Sequence, residues 1–487
     1  MNSLKLRSTF INARTQMLPY RLDAETHGAV EEYMANYNPT AGPVRKVITY
    51  FPATAAMPVY VGHCEYFDLD YVLQRLVGTT SLDTGVSKSL FAGGKGYDLP
   101  GMFLSSVGET IERVLASLFY FGEDERRQYG TYRDMVDQGF PCLHPDDMPL
   151  FSAEQYAEPN FVFEAFTEDS YLGWVEGTRL RSREKIWVPA QLVELVYTRR
   201  RDEAMIGYAV SGGLTSHVSE TLALFHGLTE LVERDAVNLH WYCRIPPRKI
   251  VFDRPPAPTL RRLLGISQSL PGDIDFYLHC IDFPEVPVIT AIEVDPWLNR
   301  YSYYSGGGAD LDIDVSLIKA LNEFGQSERT TRLALISPTR SFAVAVGRLF
   351  EMGPDEPVSK IDLFFKVVSF YGWRKNANKL DWYRKDGADV PLSELPVTGE
   401  RTVEEKLAML VDVFASHGID PIVFDLTPPG MRHLKLMKAF IPELTQPFVQ
   451  SSPYFGHPRF RQAGMIVGHR NDEMPLSELL TDPLPYP

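Results

Sequence analysis

The sequence predicts a mixed α/β (α+β) fold in which helices pack against sizeable sheets. Short apolar runs of strand length alternate with longer helical stretches along the chain, which is typical of this class. The hydrophobic fraction of 44% and the charged fraction of 23% are those of an ordinary globular protein. A chain of 487 residues can bury a large core, and this length indicates two or three domains or subdomains.

The first part of the chain carries no functional motif. Residues 1–85 mix short apolar runs with Pro and Gly, and we interpret them as a small N-terminal α/β extension. Residues 86–487 form the predicted main domain, which ends in an alternating-proline tail at Pro487.

Within the main domain, the predicted elements follow one another in order. Strand-like apolar runs are 185–188, 204–210, 276–278, 288–294 and 421–425. One helix follows a glycine-rich turn around Lys95, a second covers 219–241 and a third covers 314–333. Residues 431–439 are predicted to be helical, and residues 373–403 are predicted to be an exposed polar loop.

Charge, cysteine content and hydropathy exclude several classes of protein. The net charge of −15 argues against nucleic-acid binding, which needs a basic surface. The four cysteines lie far apart, so we expect reduced thiols rather than a zinc site or a disulfide framework. The N-terminus lacks the apolar stretch of a signal peptide, and no run approaches the roughly 18 apolar residues that span a bilayer. We therefore expect a cytoplasmic protein with no nucleic-acid or membrane partner.

Two of the predicted helices carry the same charged motif, in which two glutamates lie three residues apart and an arginine follows the second. The motifs are Glu109, Glu112 and Arg113, and Glu230, Glu233 and Arg234. This spacing places both carboxylates on one helix face, beside apolar flanking residues. Crowded carboxylates near a core desolvate poorly, and Mg²⁺ relieves that cost. A single motif is typical of a solvated face with salt bridges, whereas two copies favour a metal site.

Three weaker features accompany the motifs. Lys95 lies between two glycines, and glycine-rich backbone beside a lysine can cradle phosphate. The segment is not a Walker A loop, and taken alone it predicts a plain turn. One face of the third helix carries Lys319, Glu323 and Gln326. This face is either a solvated stripe or part of a metal–phosphate site. The proline-rich tail is stiff and extended, and it can project the Pro487 carboxylate into a neighbouring cleft.

Taken in order, these motifs resemble the YcaO superfamily, whose members are ATP-dependent enzymes that activate backbone amides of peptides. The resemblance covers residues 87–487. The alternating-proline terminus is similar to that of azoline-forming members, the cyclodehydratases of ribosomal peptide natural-product biosynthesis, which place the tail next to the active site. The resemblance implies a YcaO-like fold with mixed sheets and helices around a central ATP and Mg²⁺ site.

The resemblance also implies a role for each candidate residue. The metal ligands, which would hold two or more Mg²⁺ ions bridging the ATP phosphates, are Glu109, Glu112, Glu230, Glu233 and Glu323. The nucleotide contacts are Lys95, Ser105, Arg113, Arg234, Lys319 and Gln326. The C-terminal carboxylate of Pro487 is the candidate catalytic base.

The implied reaction is an ATP-dependent cyclodehydration. A Cys, Ser or Thr side chain of a precursor peptide attacks the preceding carbonyl, ATP phosphorylates the oxyanion, and loss of phosphate leaves a thiazoline or oxazoline. Family analogy adds a ThiF-like or winged-helix leader-binding partner, and a flavin dehydrogenase is a further candidate partner. Two alternatives are a thioamide- or amidine-forming family member and a non-catalytic precursor-docking subunit. A third, a carboxylate-bridged di-iron protein, would need Glu-x-x-His pairs that neither motif helix has.

The sequence departs from the family pattern shortly after Gly213. Most members have Asn and then Glu here, reaching the nucleotide, and the corresponding positions are Val218 and Leu222. Either Glu220 substitutes after a register slip, or part of the metal shell is lost. Lys319 also stands where many members have Arg, which keeps the charge and loses the bidentate fork.

Overall fold

The computed structural model describes residues 24–40, 42–51, 57–66, 75, 92–97, 99–118, 126–267, 273–336, 352–361 and 364–485. The strands are β1 Val44–Tyr50, β2 Tyr60–Tyr66, β3 Gly93–Gly96, β4 Arg127–Gly130, β5 Leu172–Arg179, β6 Lys185–Pro189, β7 Leu214–His217, β8 Arg248–Val251, β9 Asp275–His279, β10 Val288–Val294, β11 Tyr303–Ala309, β12 Asp389–Pro391, β13 Ile422–Asp425 and β14 Lys435–Phe440. The α-helices are α1 Ala24–Ala35, α2 Leu99–Leu118, α3 Tyr132–Asp137, α4 Ala153–Tyr156, α5 Glu220–Tyr242, α6 Pro258–Ser267, α7 Ile313–Ile336, α8 Phe364–Gly372, α9 Arg374–Ala377, α10 Asp381–Lys385, α11 Val403–Ser416 and α12 Arg459–Ile466.

These strands form three sheets within the described residues. The first sheet is antiparallel, with the order β1-β2-β3. The second has the order β11-β10-β9-β8-β12, and only its β12–β8 pair is parallel. The third has the order β4-β5-β13-β14-β7, with β6 also paired to β5. Helices and mixed sheets together confirm the predicted α/β (α+β) fold.

Glycine allows two long helices to lie directly on strand backbones. A Cβ atom at Gly306 of β11 would come within 2.0 Å of the backbone nitrogen of Phe324 in α7. A Cβ atom at Gly94 of β3 would come equally close to the backbone nitrogen of Ser106 in α2. The glycine-rich strands β3 and β11 therefore fix the positions of α2 and α7, which both carry candidate site residues.

The central helix α5 is fixed at its start and in its middle. Ser219 caps the N-terminus, because its hydroxyl accepts the backbone N–H of Leu222 at 3.3 Å. Further along, the buried Asp235 binds the guanidinium of Arg459 at 2.6 Å, and Arg459 also binds Asp282 at 2.7 Å. This charge network ties α5 to α12 and to the segment after β9.

Most of the predicted elements are confirmed. The runs 185–188, 276–278, 288–294 and 421–425 coincide with β6, β9, β10 and β13. The helices predicted at 219–241 and 314–333 correspond to α5 and α7, and the first motif lies on α2.

The predicted strand at 204–210 is wrong. No strand forms there, because side chains bind the backbone N–H groups that a neighbouring strand would otherwise use. Met205 donates to Glu164 Oε1 at 3.0 Å, and Ile206 donates to Gln191 Oε1 at 3.1 Å. The apolar residues of this segment are still buried, so its sequence resembles that of a strand.

Three further predictions of local structure need correction. The helix predicted at 431–439 is wrong, since strand β14 lies there instead. Its backbone hydrogen bonds to both β13 and β7 stabilise the extended conformation. Residues 373–403 are not one exposed loop, since they contain α9, α10 and β12 with Tyr383 and Leu392 fully buried. The plain turn expected around Lys95 is strand β3, which pairs with β2.

All four cysteines are described, and each is a free thiol, as the sequence predicts. Among the described residues, no helix combines the length and apolar character that crossing a membrane requires. The domain boundary between residues 85 and 86 stays a prediction; β2 on one side of it pairs with β3 on the other.

Candidate functional site

Five of the predicted site residues converge from three helices. Helix α2 contributes Glu109 and Glu112, α5 contributes Glu230 and Glu233, and α7 contributes Glu323. Besides burial, Glu323 and Glu230 each raise the pKa of both Glu109 and Glu233, so these carboxylates share one electrostatic environment. We refer to the five residues as the acidic cluster.

A turn and the strand after it supply backbone N–H groups to two of these glutamates. The N–H of Gly213 donates to Glu230 Oε2 at 3.0 Å, and the N–H of Ser216 in β7 donates to Glu112 Oε2 at 2.8 Å. Gly213 has a φ of +74°, and a Cβ atom there would lie 2.6 Å from the carbonyl oxygen of Ala439. Only glycine fits this turn without strain.

Side chains of α7 bind the edge of β11 that does not pair with β10. Residues four apart on the helix meet residues two apart on the strand, in the pairs Lys319 with Ala309 (2.7 Å), Glu323 with Gly307 (3.1 Å) and Ser327 with Ser305 (3.5 Å). At the middle pair, a Cβ atom on Gly307 would lie 2.5 Å from Glu233 Oε1. Glycine therefore admits carboxylates from both α5 and α7 at one point of the strand.

Strand β3 brings Lys95 into the acidic cluster. Its ammonium nitrogen lies 2.6 Å from Glu323 Oε1. Gln326 donates to the carbonyl of Gly93 at 3.2 Å, and the hydroxyl of Ser105 accepts the backbone N–H of Lys95 at 3.4 Å. The predicted residues Lys95 and Glu323 are thus in direct contact, whereas Gln326 and Ser105 bind the backbone of β3 beside them.

The two motif arginines lie next to the glutamate one turn before them. Arg113 Nη2 is 3.5 Å from Glu109 Oε1, and Arg234 Nε is 3.9 Å from Glu230 Oε1. The Nε atom of Arg113 is buried, and among the described residues it has no hydrogen-bond acceptor. A buried donor without an acceptor costs free energy, so this group fits an anionic oxygen supplied by a ligand.

Lys319 makes the first of the three contacts between α7 and β11, and it also contacts Asp310. Its ammonium nitrogen is 3.1 Å from Asp310, which also binds Lys406 at 2.8 Å. Both ammonium groups lie 5.8 Å from the ring centroid of Phe225. The Lys319 side chain is 31% exposed, so it borders the site while two of its donors are used within the protein.

Burial makes some carboxylates of the acidic cluster costly to ionise. It raises the pKa of Glu112 to about 8, against the opposing charge of Arg113 and with the help of Glu109. Burial likewise raises the pKa of Glu233 to about 7, with Glu323 the next contributor. For Glu323 burial acts in the same direction, but the ion pair with Lys95 outweighs it and holds the pKa below its usual range. Added cations would relieve the remaining cost.

The C-terminal tail is held on the strand that borders the acidic cluster. Side chains donate hydrogen bonds to its carbonyl groups, in the pairs Trp241 with Asp482 (3.0 Å), Tyr371 with Pro483 (2.5 Å), Tyr303 with Pro485 (2.9 Å) and Ser305 with Pro485 (3.2 Å). Tyr303 and Ser305 share one face of β11 with Gly307, which lies against Glu233. The predicted base Pro487 lies outside the described residues.

Comparison with known families decides which family this geometry represents. Residues 93–445, more than two thirds of the chain, match the family model described as YcaO cyclodehydratase, ATP- and Mg²⁺-binding. The chain belongs to the YcaO family. The matched region contains the whole acidic cluster, both motif arginines and Lys95.

Solved YcaO-type structures share the fold at low sequence identity. A heterocyclase in complex with substrate and cofactor superposes with a TM-score of 0.71 at 18% identity, covering 96% of this chain and 58% of that one. YcaO from Methanopyrus kandleri, bound with AMPPCP and Mg²⁺, gives a TM-score of 0.56 at 16% identity and covers 93% of both chains. The E. coli microcin synthetase McbBCD complex with pro-MccB17 bound gives 0.56 at 15% identity, covering 92% of this chain and 98% of that one.

A curated relative also matches part of the chain. An uncharacterized protein from Methanothermobacter thermautotrophicus is 26% identical over 204 residues, which is 42% of this chain and 52% of the relative. The chain thus spans about half the length of the curated relative that it matches.

The donor set of the YcaO site fits Mg²⁺ held together with phosphate. Within the described residues, no three carboxylate, imidazole or thiolate side chains are placed to hold one ion by themselves. Mg²⁺ commonly takes only one or two protein carboxylates and completes its octahedron with phosphate oxygens and water. Separated glutamates with raised pKa, beside the buried Nε of Arg113, which lies 3.8 Å from Glu112 Oε1 and has no hydrogen-bond acceptor among the described residues, suit such a ligand.

The positions that depart from the YcaO pattern lie at the start of α5. Val218 precedes the cap, and the backbone N–H of Leu222 is used by the cap itself. Glu220 is exposed in the first turn of the helix. Two imidazoles occupy this region instead, since the rings of His217 and His226 meet edge to face with centroids 5.3 Å apart. Burial lowers the pKa of His217 to about 4, so its ring is neutral at physiological pH.

Several residues that shape the site were not predicted from the sequence. They are Ser216, His217, Tyr303, Ser305 and Ser327. The one available signal was the pair of glycine runs at 212–213 and 306–308, which mark backbone that must come close to another group.

Proposed function

We propose that this chain is an ATP-dependent cyclodehydratase that converts Cys, Ser or Thr residues of a precursor peptide to thiazolines or oxazolines. The acidic cluster carries the proposal, because five glutamates from three helices lie beside Lys95 and two arginines on a YcaO scaffold. Arrays of this kind bind phosphate through cations, and electrostatic stabilisation of the transferred phosphoryl group is the main catalytic term in such reactions.

The proposed ligands of Mg²⁺ are the acidic cluster itself, and the proposed phosphate contacts are Lys95, Arg113, Arg234 and Lys319. Ser105 and Gln326 fix strand β3, so they act on Lys95 through the backbone. When bound, Mg²⁺ and ATP supply the phosphoryl group that activates the peptide amide oxygen. The raised pKa values of Glu112 and Glu233 mean that both carboxyl groups gain stability as anions once cations are present.

The proposed base is the carboxylate of Pro487. In the reaction, the substrate thiol or hydroxyl forms a bond to the preceding carbonyl carbon and gives up its proton to this base. The resulting oxyanion takes the γ-phosphoryl group of ATP with release of ADP. Phosphate then leaves with this former amide oxygen, and the amide nitrogen loses its proton as the C=N bond forms. Tyr303 and Ser305 on β11 bind the carbonyl of Pro485, and this anchoring of the tail supports a role for the residues that follow it.

The same anchored tail favours ring formation over the sister reactions of the family. Thioamide- and amidine-forming enzymes use an external sulfide or amine, and a tail base serves an attacking side chain of the peptide itself. A docking subunit without catalysis would be consistent with Val218 and Leu222, but it gives no reason to keep a partly buried acidic cluster in which Glu112 and Glu233 are costly to ionise.

The proposed substrate is a ribosomally made peptide delivered by a second protein. One similar structure is a heterocyclase in complex with substrate and cofactor, and another is a synthetase complex with pro-MccB17 bound. By analogy with the family, a leader-binding partner of the ThiF-like or winged-helix type would present the peptide to this chain. A flavin dehydrogenase that oxidises the azoline to an azole is a further candidate partner.

The test is a peptide turnover assay followed by mass spectrometry. The chain is combined with Mg²⁺, ATP, a Cys- and Ser-rich precursor peptide and its leader-binding partner. We expect the loss of one water per ring together with one ADP formed. Glu233→Gln and Glu323→Gln should abolish both, and Glu158→Gln, at an exposed glutamate, should abolish neither. Replacement of oxygen by sulfur in the product, or ring formation by both cluster variants, would contradict the proposal.

A further inference from the structure

A lysine is buried directly behind the acidic cluster, and no sequence motif marks it. Lys438 lies on β14, a strand paired on both sides, and only 5% of its surface is exposed. Within the described residues, Lys438 forms no ion pair at 4.0 Å or less. Burying an ammonium group is costly unless its donors are satisfied, so its position needs a reason.

The ammonium group of Lys438 is held by a backbone turn rather than by a carboxylate. It donates to the carbonyl oxygens of Val210 at 2.8 Å and Gly212 at 2.6 Å. These carbonyls flank Ser211, whose own carbonyl accepts the N–H of Leu214 at 2.8 Å and closes the turn. Lys438 therefore fixes the backbone of the turn from inside the sheet.

This turn presents an N–H group to the acidic cluster. Gly213 follows Gly212, whose carbonyl binds Lys438, and the N–H of Gly213 donates to Glu230 Oε2 at 3.0 Å. The carbonyl of Gly213 in turn accepts the N–H of Ala439, the residue next to Lys438. One unbroken path of hydrogen bonds thus leads from the lysine through the turn to Glu230.

The charge of Lys438 acts on the same carboxylates. Glu230 and Glu112 both attract the ammonium group, and Arg113 on the site side repels it. A neutral side chain of equal length would pack in this sheet without the cost of a buried charge. The strand alone therefore does not account for a lysine here, whereas the orientation of Glu230 does.

We propose that Lys438 is a positioning residue for the Mg²⁺–ATP site: it holds the Ser211–Gly213 turn so that Gly213 N–H fixes one oxygen of Glu230 and leaves the other for the cation. The inference rests on the proposed function of the acidic cluster. Outer groups that orient metal ligands typically contribute about 10- to 100-fold to metal affinity. Lys438 itself touches neither the ligand nor the reacting atoms.

The test compares Lys438→Met with Lys435→Met, which replaces the first residue of the same strand, in calorimetric titrations of ATP at fixed Mg²⁺. We expect Lys438→Met to keep the circular dichroism spectrum of the folded chain and to weaken Mg²⁺–ATP binding about 10-fold or more. Lys435→Met should bind as the wild type does. Lys438→Gln, which keeps one N–H donor for the turn, should lie between the wild type and Lys438→Met.

A double substitution separates positioning from general damage. In a Glu230→Gln background, Lys438→Met should cause no further loss of affinity, because the lysine acts through that glutamate. An additive loss would contradict the inference, as would wild-type affinity in Lys438→Met, or failure of both the Met and Gln variants to fold. Absence of Mg²⁺–ATP binding in the wild-type chain would instead contradict the proposed function itself.

Discussion

The substitution Glu112→Gln should stabilise the ligand-free chain while destroying its proposed function. Glu112 has a side chain only 11% exposed, and it accepts the N–H of Ser216 at 2.8 Å. Burial raises the pKa of its carboxyl group to about 8, although Arg113 opposes this. The folded chain therefore binds this proton more tightly than the unfolded chain. Stability from this group is complete below the ordinary pKa of 4.5 and is lost as pH rises towards about 8.

The magnitude follows from the difference between the two pKa values. At about pH 8, a carboxyl group whose pKa rises from 4.5 to about 8 on folding lowers the free energy of unfolding by about 4 kcal/mol. The Glu112 side chain is 11% exposed, so solvent screens part of this and we expect roughly 2–4 kcal/mol. Glutamine removes the ionisation and keeps an oxygen that accepts the N–H of Ser216, so the substitution should recover most of that free energy.

The assay is thermal unfolding of the ligand-free wild type, Glu112→Gln and the exposed control Glu158→Gln at two pH values. At about pH 8, Glu112→Gln should melt several degrees above the wild type, and at about pH 4.5 the two should melt together. Glu158→Gln should follow the wild type at both. A Glu112→Gln chain that is less stable than the wild type at about pH 8 would refute the electrostatic reasoning.

Three further predictions follow from the same structure. Mg²⁺–ATP affinity should rise between about pH 6 and about pH 8.5, because Glu112 and Glu233, with pKa values of about 8 and 7, must lose protons before cations bind. A constant affinity in calorimetric titrations across this range would count against these two residues as ligands. One residue added after Pro487 should lower peptide turnover at least about 10-fold without weakening Mg²⁺–ATP binding, since it displaces the proposed base. Unaltered turnover would remove the tail from the mechanism. Arg459→Met should destabilise the chain by about 3–5 kcal/mol in thermal unfolding, because it leaves the buried Asp235 unpaired; an unchanged melting temperature would show that this charge needs no partner.

The sequence predicts the two glutamate pairs because their spacing is a local property of helices, whereas their grouping with Glu323 is implied by the family resemblance. Glutamates three apart with an arginine next to the second must share a helix face wherever the helix lies. The breadth of the apolar flanks then shows that this face is not free in water. For the same reason, the bounds of α5 and α7 are close to those predicted.

The residues that orient the cluster could not be predicted, since their contacts join segments far apart in the chain. The N–H donors of Gly213 and Ser216 depend on β7 pairing with β14, and the apolar spacing of β14 suits a helix as well as a strand. Without that pairing, Lys438 is one lysine in an apolar run. Lys319 shows the same limit, because its bond to Asp310 arises only when α7 packs on β11.

The most direct test of the central claim is a calorimetric titration of ATP into the purified chain with and without Mg²⁺, beside Glu233→Gln. The acidic cluster predicts saturable binding that requires Mg²⁺ and that Glu233→Gln abolishes, because this carboxylate lies against Gly307 between α5 and α7. Binding that is independent of Mg²⁺, binding retained by Glu233→Gln, or no binding at all would contradict the account.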